Sequence, residues 1–304
     1  MLLSLSPAWP AEADQPFHIA ELWVYPVKSC AGVRVPRSTL LPTGLEWDRC
    51  WMVVDEAGEF VSQRELPRMA LIQPAFQLGQ LVLRAPGMLA LHLQLDGAEA
   101  PCRVRVWDDE LDAYDMGDVA AQWFSDFLAS GRPTAPGRLR LVRFDPEVRR
   151  LSSLKWTGGV EAPNQFGDGF PLLLTSTAAL DDLNQRLAVA GASAVDMRRF
   201  RPNIVLAGVE AHDEDRFSDL YLVGAGTALV HLQPVKPCAR CSIPDVHPDT
   251  AATGGAVGQA LRAYRADARL DGALTFGMNA IVRAGAESEL HQGQAGAAAW
   301  AGWR

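Results

Sequence analysis

No apolar run in this sequence approaches the ~18 residues that a membrane-spanning helix requires, so no membrane association is expected. Cysteine is scarce: five residues (30, 50, 102, 238 and 241), an odd number without the spacing of a disulfide framework. Reduced thiols in a cytoplasmic protein are the expectation. Positive charge is short as well. Lys and Arg number 28 against 36 Asp and Glu, a net charge of -8, which argues against a general nucleic-acid binder that must neutralise many phosphates. The segment MLLSLSPAWPAEADQ lacks the basic n-region of a secretory signal, and no internal repeat is evident. What is present is ordinary for a folded protein. The chain is 48% hydrophobic and 21% charged, and its 304 residues can bury enough core for two domains.

The apolar pattern from Ile19 to Val106 is short and strand-like: IAELWVYPV, CWMVVDE, ALIQPAFQL, LVLRAP, LALHLQL and CRVRVW, separated by Gly, Pro and Asp turns. Strands at this spacing predict a small barrel or sandwich. Residues 118–130 have helical spacing, with Ala121, Phe124 and Leu128 on one face. GRPTAPG (131–137) reads as a linker. A second unit begins near Leu139 with the strand LRLVRF. FPLLLTSTAALDDLNQRLA holds a buried strand, a Thr/Ser turn and an amphipathic helix over 178–188. FRPNIVLAG is a strand, and EAHDEDRFSD an acidic loop read as a solvated turn. YLVGAGTALVHLQPV predicts two strands joined by a glycine turn. A short helix over 257–264 precedes LTFGMNAIVRAG, expected as the closing strand, and the Ala/Gly-rich residues 293–304 read as loosely ordered.

The most informative stretch is KPCARCSIPDVHPDT (236–250). It sets Cys238 and Cys241 around Arg240 in a segment whose prolines make poor helix or strand. A thiolate is a soft ligand for a transition metal, and a neighbouring guanidinium favours the charged form of a thiol. A single C-x-x-C supplies only two of the ligands that zinc needs. A thioredoxin-like dithiol opens a helix, whereas Cys241 runs into Ser-Ile-Pro. Incidental loop cysteines are the plain alternative. Elsewhere, phosphate-type donors recur: Lys28 and Ser29 at the end of the first strand, Asp48 and Arg49, Arg64 and Arg68, and Arg201 and Asn203. Thr175, Ser176 and Thr177 lie where a strand hands over to a helix, and amides at such a start hold anions. Each has an ordinary role available, as a solvated charge or an N-cap.

Taken together, LWVYPVKSC (22–30), DRCWMVV (48–54), FRPNIV (200–205), PCARC (237–241) with VHPDT, and FGMN (276–279) resemble the MOSC-domain proteins. The likeness is strongest to the branch with a MOSC N-terminal β-barrel that includes the mitochondrial amidoxime-reducing component. It implies a β-rich α+β fold: an N-terminal extension (1–17), a MOSC N-terminal β-barrel-like domain (18–137), a MOSC domain built on a β-barrel with a few short helices (138–293), and a tail (294–304). It also implies a molybdenum–molybdopterin cofactor. Cys241 would be the thiolate ligand of molybdenum. Arg240, Arg201 and Asn203 would contact the phosphate and pterin; Lys28, Ser29 and Arg49 would reach over from the first domain. Thr175 and Ser176 would hold the phosphate end, and Asp249 would lie near the metal as a second catalytic residue.

Two departures accompany the resemblance. Ala251 stands where a glycine usually follows Asp-Pro-Asp-Thr, and no cysteine cluster of an iron–sulfur domain follows Gly293. The expected activity is reduction of N-hydroxylated compounds, with electrons from a separate donor protein of ferredoxin, flavodoxin or cytochrome type. A cofactor carrier or sulfur-relay module without turnover is the alternative.

Overall fold

The computed structural model describes residues 9–129, 137–223 and 229–302. The linker at 131–136, the glycine turn at 224–228 and the two ends of the chain lie outside them. Seven strands, numbered along the chain, form the centre of the molecule: β1 (Gln15–Val24), β2 (Leu172–Ser176), β3 (Ile204–Ala207), β4 (Phe217–Val223), β5 (Leu229–Ala239), β6 (Ala273–Ala284) and β7 (Ala295–Trp300). Their pairing order is β1–β7–β4–β5–β6–β2–β3, and β3 returns to β1, so the sheet closes into a barrel. Closure leaves no edge within the ring.

Only β2 and β3 run parallel. Parallel neighbours need a crossover, which α3 (Thr177–Val189) supplies. Its buried Ala179, Leu183 and Leu187 pack with Phe200, Val205 and Phe276. The barrel core comes from alternate residues of the strands, among them Ile19, Leu22, Leu174, Ile204, Leu206, Leu220, Leu222 and Leu232. Each such side chain contributes on the order of 2 kcal/mol.

A second unit is inserted between β1 and β2. Its four-stranded sheet runs in the order Trp51–Val54, Arg140–Phe144, Asp109–Asp115, Ala100–Val106, and Gln73–Gln77, Gln80–Arg84 and Leu91–Gln94 form a three-stranded sheet. The helix α1 (Gly117–Ala129) buries Ala121, Phe124 and Leu128 as its spacing requires, against a core with Trp51, Leu81, Leu83 and Leu141. The other helices, α2 (Leu154–Thr157) and α4 (Ala256–Arg262), are short. Among the described residues no helix is long and apolar enough to cross a membrane.

Five expectations are corrected. First, the strand at 140–144 belongs to the inserted unit, because Arg140 to Arg143 pair with Val54 to Trp51. Second, β1 belongs to the barrel rather than to the inserted unit. Third, β6 is not the closing strand and residues 295–300 are not loose: β7 lies between β1 and β4 with Ala297, Ala298 and Ala299 buried. Fourth, β5 runs through Pro234 and Pro237 to Ala239. Both prolines stand where its register with β6 shifts, the bulged positions that tolerate a missing donor. Fifth, the acidic loop at 210–219 is not a solvated turn. Asp213 is buried and Glu214 is 0% exposed.

Candidate functional site

The C-terminal end of β5 and the N-terminal ends of β2 and β3 meet the inserted unit in a cleft. Lys28, Ser29, Arg49, Arg201, Asn203, Arg240 and Cys241 all line it. Residues from distant parts of the chain, chosen by chemistry, therefore share one wall. Backbone conformation marks the same place. Ser29, Arg49 and Arg201 have φ of 67°, 52° and 56°, left-handed values that cost a non-glycine residue on the order of 1 kcal/mol each and cluster at functional sites.

Tyr25 organises two of these cations. The Arg49 and Arg201 guanidiniums lie 4.5 and 4.3 Å from its ring centroid, a cation–π arrangement. Tyr25 is buried, and burial pushes its hydroxyl far up despite the two guanidiniums. Arg49 ion-pairs with Asp48 and donates to Asn203 Oδ1 (3.2 Å) and the Arg201 carbonyl (3.1 Å). Asn203 Oδ1 also accepts from the Leu173 amide (3.1 Å), tying β2 to β3. Arg240 donates to the carbonyls of Phe276 (3.0 Å) and Phe200 (2.9 Å).

Lys28 is 6% exposed and donates to the Phe166 carbonyl (2.9 Å) and to Asp168. Burial pulls its pKa below the ordinary lysine range, with Asp168 partly offsetting this. Asp168 was not foreseen from the sequence. It sits in a Gly-Asp-Gly turn pinned by Arg150, whose Nη1 donates to Asn164 Oδ1 (2.7 Å) and to the carbonyls of Gln165 (2.7 Å) and Gly167 (2.6 Å). Desolvation raises the Asp168 carboxyl, but Lys28, with Arg49 and Arg201 behind it, outweighs this and holds it far below the carboxylate range. Its side chain is 75% open to the cleft, so the surrounding charges, rather than depth, decide its state.

Cys241 is exposed and free; Cys238, also free, is half-buried. The expected lowering of a thiol pKa by Arg240 fails at Cys238, where burial pushes the thiol up and the guanidinium only partly opposes it.

Three expected residues do not line the cleft. Thr175 and Ser176 are 0% exposed. The Thr175 hydroxyl faces Met197 Sδ (3.3 Å), while Ser176 Oγ caps α3 by accepting from the Ala179 amide (3.1 Å) and donates to Glu214 (2.8 Å). Their polar groups are spent inside. Ser176→Ala is accordingly expected to cost about 1–2 kcal/mol in urea unfolding without changing anion affinity. Asp249 lines a neighbouring cavity, not the cleft. Arg198 grips both its oxygens (2.8 Å each) and holds its carboxyl below the usual range. The loop beyond it closes tightly, with the His247 amide donating to the Ala252 carbonyl (2.8 Å). Ala251, where a glycine was expected, has φ of 58°, the conformation that glycine adopts without cost.

A model of the MOSC N-terminal beta barrel domain matches residues 16–131, and one of the MOSC domain matches residues 161–295. Human mitochondrial amidoxime reducing component 2 is 34% identical over 254 residues, 80% of this chain and 71% of that protein. Human mitochondrial amidoxime-reducing component 1 is 34% identical over 255 residues, with the same coverage. Human molybdenum cofactor sulfurase is 28% identical over 245 residues, 75% of this chain but 26% of that protein. The chain thus belongs to the MOSC family, in the branch that joins a MOSC N-terminal β-barrel domain to a MOSC domain and includes the mitochondrial amidoxime-reducing components.

Proposed function

We propose that the cleft holds a molybdenum–pterin cofactor with Cys241 as the protein ligand of the metal, and that the protein reduces N-hydroxylated compounds. The observation that carries this reading is the meeting of an exposed thiol with Lys28, Arg49, Arg201 and Arg240 from both units in one cleft. The donor set suits the group. Arg199, Arg201 and Arg240 line the cleft with no carboxylate within ion-pair distance among the described residues, so a phosphate dianion meets guanidiniums that have no direct ion-pair partner. Among the described residues no three His, Cys, Asp or Glu gather as a metal site. Cys241 therefore offers one soft ligand, and an organic dithiolate suits the remainder.

When bound, such a cofactor supplies the two-electron chemistry at an N–O bond. The overall reaction takes R–NHOH, two electrons and two protons to R–NH2 and water, with the electrons from a separate donor protein. The residues of this chain place the reactants. Arg201, Arg240, Lys28 and Arg49 set a positive field, and Tyr25 keeps two of the guanidiniums in position. Asp168 is ionised throughout the working pH range and receives hydrogen bonds from a substrate amine rather than delivering a proton. Asp249, held ionised by Arg198, has no proton to give either, so protons come from solvent.

Elemental analysis of native protein should find about one molybdenum per chain, and the loaded protein should turn over a hydroxylamine-type base with a chemical reductant. The sulfurase likeness favours a second reading, a carrier or sulfur relay. Molybdenum without turnover, or a one-sulfur mass increase on a cysteine, would select it. Absence of molybdenum from protein made with cofactor supply, with no sulfur added to any cysteine, would end both.

A further inference from the structure

With Thr175 and Ser176 sealed inside the barrel wall, the anionic end of the ligand needs another holder, and Arg199 lines both the cleft and the neighbouring cavity. Among the described residues only Arg199, Arg201 and Ile243 line both spaces, so these side chains form the partition between them. Arg199 is half-buried, and among the described residues its side chain makes one hydrogen bond, from Nη1 to the Pro244 carbonyl (2.9 Å). No carboxylate lies within ion-pair distance of it among the described residues, whereas its neighbour Arg198 is paired to Asp196 and Asp249. Arg201, by contrast, already gives Nη1 to the Cys30 carbonyl and its face to Tyr25. Arg199 is thus a partly desolvated cation with most of its five donors uncommitted; desolvation lowers its pKa, and the more distant charges of Asp196 and Asp245 only partly oppose this. A group in that state gains more from an arriving anion than a paired or solvated one does.

We propose that Arg199 is the anchor of a phosphate monoester, gripping its dianionic end where the cleft meets the second cavity. This rests on the cofactor reading above but is tested apart from it, because inorganic phosphate binds without molybdenum or turnover. Calorimetric titration of the full chain with inorganic phosphate at low ionic strength should show one site. Arg199→Ala should weaken it at least tenfold, and Arg199→Lys, which keeps the charge and loses the fork, about threefold. Arg34→Ala, which touches only the second cavity, should stay within twofold. Circular dichroism confirms folding, and the lysine variant reports even where the alanine variant is unstable. Phosphate affinity unchanged in both Arg199 variants, no phosphate binding by the wild type, or loss on Arg34→Ala alone would each overturn the proposal. Arg199-dependent phosphate binding by a protein that takes up no molybdenum would leave it standing and remove the cofactor reading instead.

Discussion

Cys241→Ala should lower turnover of an N-hydroxylated base by on the order of 10³-fold or more, equivalent to about 4 kcal/mol of transition-state stabilisation, while Cys238→Ala stays within about threefold. The two thiols are three residues apart and both line the cleft, but they differ in exposure. Cys241 leaves the end of β5 and is exposed in the cleft. Cys238 is still within β5, between Pro237 and Ala239, and its Sγ faces the Ala239 carbonyl at 3.8 Å. Burial raises its pKa above the ordinary thiol value, so it stays protonated at neutral pH, and a protonated thiol is a poor metal ligand. Turnover and molybdenum content of both variants decide the matter. Full activity in Cys241→Ala, or loss confined to Cys238→Ala, would show that the metal reading has chosen the wrong sulfur.

The second large effect concerns stability. Glu214 is 0% exposed, accepts from Ser176 Oγ on Oε2, and leaves Oε1 without a partner. Burial first, and the Asp215 charge second, push its pKa from 4.5 to about 7. Arg265, the nearest cation, ion-pairs with Asp215 instead. Because the folded value lies above the unfolded one, the folded chain binds the extra proton between pH 4.5 and 7. The contribution is complete below 4.5 and lost as pH rises through 7. A shift of this size corresponds to roughly 3 kcal/mol. Glu214→Gln, which has no charge to bury, should therefore be more stable than the wild type at pH 8 by about that amount and nearly equal to it at pH 4.5. Urea unfolding at pH 4.5, 6 and 8 measures the difference. A gap that fails to widen with pH would refute the assignment.

What the sequence revealed of the molecule follows a physical line. Alternating patterns such as IAELWVYPV announce strands because a half-buried sheet demands period two. β7 escaped because AGAAAW has no branched or alternating residues. Small side chains are needed there: a Cβ on Gly296 would meet the Phe17 ring at 2.5 Å and the Tyr221 carbonyl at 2.6 Å. Pairing is non-local, so nothing within LRLVRF told that it would join Trp51–Val54 across nearly ninety residues. At the site, Lys28, Arg49, Arg201, Arg240 and Cys241 stood out in the sequence by their chemistry, and the fold gathers them in one cleft. Asp168, Tyr25 and Arg199 did not, since an acid among glycines, a strand tyrosine and one arginine of a pair acquire meaning only from their neighbours. Thr175 and Ser176 misled because a strand-to-helix junction looks alike whether it opens outward or inward.

The closing of the ring by β7 between β1 and β4 carries a consequence for biosynthesis. As the ribosome emits the chain, β1 must wait, without β7 beside it, while the inserted unit and five further strands emerge. The inserted unit has its own core and can condense early, but the barrel gains its last neighbour only once β7 has emerged. Long-range pairing of this kind is slow to form. Protein made faster than it can close therefore offers chaperones an open sheet with two raw edges.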